Sequence, residues 1–236
     1  MKYELVIIGG SAISAPIIGE DFNWTGGDGT YQVLDDGGGN WRIKLLSSGT
    51  FTPLKNMVID VFLVGGGGGA GSSYCGEGGA GYTTTVRSVV LTANTAYSIV
   101  VGAAGTNGNP SSAGGETTAF TASAAGGKNT SNGTSSSKRP GGAGGSGGAG
   151  YVSPVATTTG GTDGGDGTSS ATTGGKGQGT TTREFGEADG TLYASGGGSN
   201  LTATVSNSGN GGRNGITSIE PADGIVVIRQ HKEVAA

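Results

Sequence analysis

The sequence predicts a mostly β protein in which strands alternate with packed polyglycine II helices and almost no α-helix forms. Three observations lead there. Glycine supplies 54 of the 236 residues. Runs rich in β-branched residues, "MVIDVFLV", "YSIVV" and "GIVVIRQ", recur between the glycine tracts. Helical composition is lacking, because threonine and serine stand where a helical protein carries leucine, glutamate and lysine. The best helix candidate, "REFGEAD" at 183–189, contains a glycine and is about two turns long.

Disorder is the competing reading, since glycine and proline together approach the low-complexity range. Charged residues make up only 13% of the chain and the apolar runs are evenly spread, so a folded chain is expected. Each glycine loses roughly 0.5–1 kcal/mol more backbone freedom than alanine on folding. A fold that keeps so many must use them as packing residues.

The elements follow in order. In "MKYELVIIGGSAISAPIIG" the uninterrupted apolar run is only Leu5 to Ile8 and Glu4 sits among the first charges, so a first strand is expected there rather than a signal peptide. The first fifty residues carry both tryptophans, Trp24 and Trp41, the alternating strand "WRIKLL", and the turn signals "TGGDG" and "LDDGGGN". They read as a small β region, 1–50, followed by a glycine-rich domain, 51–236. "VFLVGGGGGAG" is a strand handing over to a first polyglycine helix with Gly65, Gly66, Gly67, Gly68 and Gly69 as core. "YTTTVRSVVLT" and "AYSIVVG" are further strands, and "GIVVIRQ" closes the domain.

"GGAGGSGGAG" at 141–150 places Ala143, Ser146 and Ala149 at every third position, the period of a polyproline II-type helix. Collagen needs a longer repeat and more than six prolines. Short glycine helices packed side by side would pair every backbone N–H and C=O with a neighbour, as a buried backbone requires. Gly142, Gly145 and Gly148 are assigned to that scaffold, where no side chain would fit.

Enzyme motifs are weighed and set aside. Gly66, Gly68 and Gly71 satisfy G-x-G-x-x-G after a strand, but "SSYCGEGGAGYTTT" follows in place of a helix and the region near residue 90 lacks the ribose-binding acid. "GGSGG" around Ser146 spells a nucleophile elbow, yet the only histidine is His231, read as a solvated tail residue. Glu184, Glu187 and Asp189 form the densest carboxylate group, read as solvated loop charges. "GGTDGGDGTSS" lacks the fixed period of calcium-binding repeats. No catalytic residue, cofactor or metal is expected. The lone Cys75 excludes an intrachain disulfide, and a net charge of −4 with only the isolated "SKRP" cations argues against nucleic acid. No apolar run reaches membrane-spanning length. Four N-x-S/T sequons, at Asn23, Asn129, Asn132 and Asn200, matter only in a glycosylating system.

Taken in order, "VFLVGGGGGAG", "GGAGYTTT", "AYSIVVGAAG", "GGAGGSGGAGY", "GNGGRNG" and "GIVVIRQ" resemble the glycine-rich domain of bacteriophage tail-fibre and receptor-binding proteins. The resemblance covers 48–230 and extends to the tip adhesins of T-even-like phage fibres. It implies a sandwich of polyglycine II helices presenting variable loops to a host-cell surface protein or glycan. It further implies a virion location, contacts with other virion proteins, and a homotrimer or a mount on a trimeric fibre. The first fifty residues replace the usual attachment domain and are expected to serve attachment or oligomerisation. A structural virion component, such as a head decoration or baseplate protein, and a bacterial surface adhesin are the alternatives. The candidate recognition loops are "NGNPSS" (107–112), "NTSNGTSSSKRP" (129–140), "YVSPVATTT" (151–159) and "TREFGEADGTLY" (182–193). Loops on a rigid scaffold carry recognition, and aromatics and arginine anchor interfaces, which selects Arg139, Tyr151, Phe185 and Tyr193.

Overall fold

The computed structural model describes residues 15–133, 139–151, 159–168, 174–213 and 218–231. Among the described residues, ten strands form two antiparallel five-stranded sheets. β1 (Phe22–Trp24), β4 (Gly49–Pro53), β7 (Tyr97–Val100), β8 (Thr117–Ala119) and β9 (Ala122–Ala124) make one, in that order across the sheet. The other runs β2 (Tyr31–Gly37), β3 (Asn40–Leu45), β10 (Ile225–Gln230), β5 (Met57–Val64) and β6 (Thr83–Leu91). A single 3-10 turn at Glu184–Gly186 is the helical content of the described residues.

Alternation decides which side chains meet between the sheets. In β3, Trp41, Ile43 and Leu45 point inward and are buried; in β5, Ile59, Val61 and Leu63 do; in β10, Val226 and Ile228 do. They pack against Phe22, Phe51, Ile99 and Ala119 of the first sheet, where the Phe22 and Phe51 rings stack at 5.2 Å. The β2–β3 hairpin closes through Gly37, Gly38 and Gly39, whose φ values of 77, 60 and 79° favour glycine.

The expected boundary at residue 50 does not divide the hydrogen-bonded structure. β3 pairs along β10, with Ile43 opposite Ile228, and β4 pairs with β7, so both sheets combine strands from either side of it. Trp24 and Trp41 lie in the same core as Ile59 and Leu91. β3 buries its apolar face only because strands from elsewhere in the chain cover it.

Beyond the sheets the backbone does what glycine permits. β5 passes directly into residues 65–70. Gly65 donates to Tyr82 and Gly68 to Gly79; Gly66 donates to Gly115 and Gly69 to Ser112; Gly67 donates to Ala222, all at 2.8–3.0 Å. Every third residue thus returns to the same neighbouring segment, the three-residue repeat of polyglycine II. The carbonyls repeat the pattern outward: Gly66 and Gly69 accept from Gly127 and Thr130, Gly67 and Ala70 from Gly105 and Gly108, and Gly68 from Gly212. Residues 65–70 are therefore surrounded by six segments. Residues 77–82 are packed alike, with Glu77 and Ala80 donating to Ala149 and Ser146, Gly78 and Gly81 to Gly212 and Gly209, and Gly79 and Tyr82 to Lys128 and Ala125.

A Cβ placed on Gly65, Gly66, Gly67, Gly68 or Gly69 would fall on the carbonyl oxygen of Ala125, Ala103, Asn210, Lys128 or Thr106 respectively. Those on Gly142, Gly145 and Gly148 would fall on the carbonyls of Lys128, Gly81 and Glu77. The 141–150 run is not one continuous helix, although its period is regular. It bends at 144–146, Gly148 donates back to Gly142 at 2.8 Å, and the two legs flank residues 77–82. The hydroxyl of Ser146, fully buried at the bend, accepts from the N–H of Gly164 at 3.1 Å.

Candidate functional site

Phe185 and Tyr193 do not present their rings for recognition. They are 3% and 6% exposed and pack with Phe62, Val64, Ile225 and Val227 on the outer face of the second sheet, away from the core between the sheets. Phe62 lies 6.0 Å from Phe185 and 5.5 Å from Tyr193, ring centre to ring centre. The physical reason is the sheet itself: β5 and β10 are apolar on both faces, and residues 182–193 cover the second one.

Charges hold this cover in place. Asp60, buried at 1% exposure, accepts from Arg87 at 3.1 Å, Arg229 at 3.2 Å, the Ser88 N–H at 3.2 Å, and His231 at 2.6 Å. Burial pushes the Asp60 carboxyl up, but its hydrogen bonds from His231, the Ser88 backbone and Arg229 outweigh this and hold it below the usual range. Arg229 also pairs with Glu187 at 2.8 Å and lies 4.0 Å from the centre of the Phe185 ring. Arg42 bridges Asp36 and the buried Glu184, both at 2.7 Å, and Tyr193 donates to Glu184 at 3.4 Å. Burial, followed by the Glu184 charge, raises the Tyr193 phenol above its ordinary value.

Two expectations are corrected here. Glu184 is buried and ion-paired to Arg42, Glu187 pairs with Arg229 while keeping one side in solvent, and His231 is bonded to Asp60 rather than free in a tail. The missed signal was legible: charges at outward positions of otherwise apolar strands, Arg42 in "WRIKLL", Asp60 in "VIDVFLV" and Arg229 in "IVVIRQ", call for a charged cover.

The other weighed motifs are also occupied by the fold. The N–H groups of Gly66, Gly67, Gly68 and Gly69 bond to backbone carbonyls, which leaves that run no donor for a phosphate. Asp163 accepts from the Thr181 hydroxyl and the Thr182 N–H, and Asp166 accepts from Lys176 and the Gly177 N–H. Among the described residues no group of three or more His, Cys, Asp or Glu side chains is placed to hold a metal.

Arg139 and Tyr151 lie elsewhere, at the end of the glycine bundle farthest from the sheets. With a rise of about 3.1 Å per residue, residues 65–70 carry the chain roughly 15 Å past β5. There residues 71–76 turn back, and other segments turn beside them. Asn107 braces three of these segments, its Oδ1 accepting from Ala70 at 2.8 Å and its Nδ2 donating to Ile219 at 2.9 Å and Arg213 at 3.3 Å. The Asn132 side chain accepts from the Ser72 N–H at 2.7 Å and donates to the Ser72 hydroxyl at 3.0 Å. Gly133 donates to Ser73 at 3.1 Å, and Tyr151 to the carbonyl of Arg139 at 3.0 Å.

The Tyr151 ring meets Tyr74 in a T-shaped contact at 5.7 Å and 89°. Tyr74, 42% exposed at a backbone φ of 47°, is an aromatic the sequence reading did not select. Its signal was a tyrosine at the turn between two glycine tracts, where no strand exists to bury it. Of the proposed recognition loops, residues 134–138 and 152–158 lie outside the described residues. Cys75, beside Tyr74, is buried and its thiol is pushed up to about 11 by burial and then by Glu77.

Fold and tip together define a class: an all-antiparallel β sandwich extended by a glycine-helix bundle that ends in a cluster of turns. More particularly, the model of the glycine-rich domain family matches residues 46–229, more than three quarters of the chain, and the protein belongs to that family. No curated protein matches the chain.

Proposed function

We propose that this chain is a non-enzymatic receptor-binding component of a bacteriophage tail fibre, carried on the virion and acting outside the host cell. The observation that carries the reading is the convergence of separate turns, 71–76, 107–112, 129–133 and the flanks of 139–151, at one end of a bundle whose interior is backbone. A scaffold without side chains in its core leaves the exposed tip positions free to vary, while a few tip residues such as Asn107 and Thr130 brace the turns.

Mounting on other virion proteins then falls to the sandwich. Val58 and Val90 stand opposite each other in β5 and β6 and are 42% and 71% exposed, with β6 at the sheet edge. Apolar side chains exposed at an edge strand suit contact with another protein or another copy.

The test is binding of the purified chain to intact host cells and competition with phage adsorption. Saturable binding and lowered adsorption are expected. A folded chain that neither binds nor competes would remove the receptor reading and leave a structural virion component, to be located by labelling head and tail.

A further inference from the structure

Five of the six arginines are committed to the fold. Arg42, Arg87, Arg183 and Arg229 pair with carboxylates, and Arg213 donates to the Leu201 carbonyl at 3.1 Å. Arg139 alone makes no side-chain hydrogen bond or ion pair among the described residues, and its Nε is shut off from solvent without an acceptor. A guanidinium held half-buried with a donor unmatched costs stability. The Arg139 carbonyl accepts from the Tyr151 N–H at 3.0 Å, and the Tyr151 ring meets Tyr74, so the residue belongs to the same cluster of turns as that ring pair.

Charge around it points to the ligand's sign. The whole chain carries −4, yet the described tip segments 71–76, 107–112, 129–133, 139–140, 151, 213 and 218–219 hold two arginines and no aspartate or glutamate. Glu77 borders them, with its charge felt at Cys75, and Glu220 follows Ile219. In a T-shaped pair the ring that offers its edge keeps both faces clear of its partner, which suits the C–H face of a sugar. Ser72 and Ser73, exposed next to Tyr74, supply hydroxyl groups for sugar hydroxyls.

We propose that Arg139, whose backbone is bonded to Tyr151 in the tip that carries the Tyr74–Tyr151 ring pair, binds the carboxylate of an acidic sugar residue in a cell-surface polysaccharide. The assignment rests on the receptor-binding reading and narrows it to a glycan. The two outer guanidinium nitrogens take the carboxylate, and a tyrosine ring takes the sugar face.

The experiment presents the full chain to an array of polysaccharides bearing hexuronate or nonulosonate residues, each beside its carboxyl-reduced form and beside acidic peptides. Binding to at least one carboxylated glycan and not to its reduced form is expected. Arg139→Ala should weaken it roughly 10- to 100-fold, with Arg139→Lys between the two. Tyr74→Ala should weaken it and Tyr74→Phe should not. Binding that survives carboxyl reduction, survives Arg139→Ala, or goes to acidic peptides alone overturns the proposal. Should Arg139→Ala fail to fold, the reduced glycan and Tyr74→Phe arms still decide. A chain that binds host cells but no acidic glycan loses this inference and keeps the receptor reading; the reverse pattern loses the receptor reading.

Discussion

Gly145 lies against the carbonyl oxygen of Gly81, so close that a Cβ on Gly145 would overlap it. The same Gly145 donates its N–H to Ala80 at 3.0 Å, so neither strand of backbone has room to withdraw without losing a bond. Gly145→Val is expected to destabilise by 3 kcal/mol or more, beyond the usual overpacking cost of about 1–3 kcal/mol, because the obstacle is backbone rather than a side chain that can rotate away. Thermal unfolding of the variant checks this, and an unchanged melting temperature would refute glycine packing.

Asp60→Asn removes the charge that Arg87, Arg229 and His231 share. Depriving the buried Arg229 guanidinium of this carboxylate costs about 3–5 kcal/mol, which urea unfolding at pH 7 would show.

The same residue makes stability depend on acid. Its folded pKa lies below its unfolded value near 3.8, so its contribution is present above pH 4 and is lost as pH falls through the folded value. At the alkaline end the raised Tyr193 phenol acts in the opposite sense: its contribution is complete below pH 10 and is lost as pH rises above that. Unfolding measured against pH should show a shallower acid slope in Asp60→Asn and a shallower alkaline slope in Tyr193→Phe than in the parent chain.

Phe185→Ala is expected to cost about 3–5 kcal/mol, as truncation of a buried aromatic does, while Tyr74→Ala leaves the melting temperature within a few degrees. Calorimetry of the two variants separates core from tip. Equal losses would contradict the assignment of Tyr74 to the surface.

Cys75 should resist thiol reagents in the folded chain. With its pKa near 11, about a thousandth of the thiol is ionised at pH 8, and its Sγ faces the Gly71 carbonyl rather than solvent. Labelling followed by mass spectrometry should be slow in buffer and fast in denaturant.

The glycine core and the strands were legible in the sequence because each is a local signal. A five-glycine run after "VFLV" admits few structures, and period-two alternation in "WRIKLL" names its buried face without reference to any partner. The fate of Phe185 and Tyr193 was not legible, because their burial depends on the outer face of β5 and β10, more than a hundred residues away for β5. The exposure of Tyr74 follows the same logic in reverse: its neighbour Tyr151 arrives only when the bundle turns both segments to one end.

By itself, then, the sequence determined a β protein whose interior is partly glycine, since no other residue leaves room for six neighbours around one backbone. Only the tertiary structure decided that residues 22–45 share both sheets with the rest, that the 141–150 run bends in two, and that the charged loop 182–193 is a cover held by Asp60, Arg42 and Arg229. Those outcomes rest on contacts between segments distant in sequence, whose energies are set by which faces and charges remain unmatched once the sheets have formed.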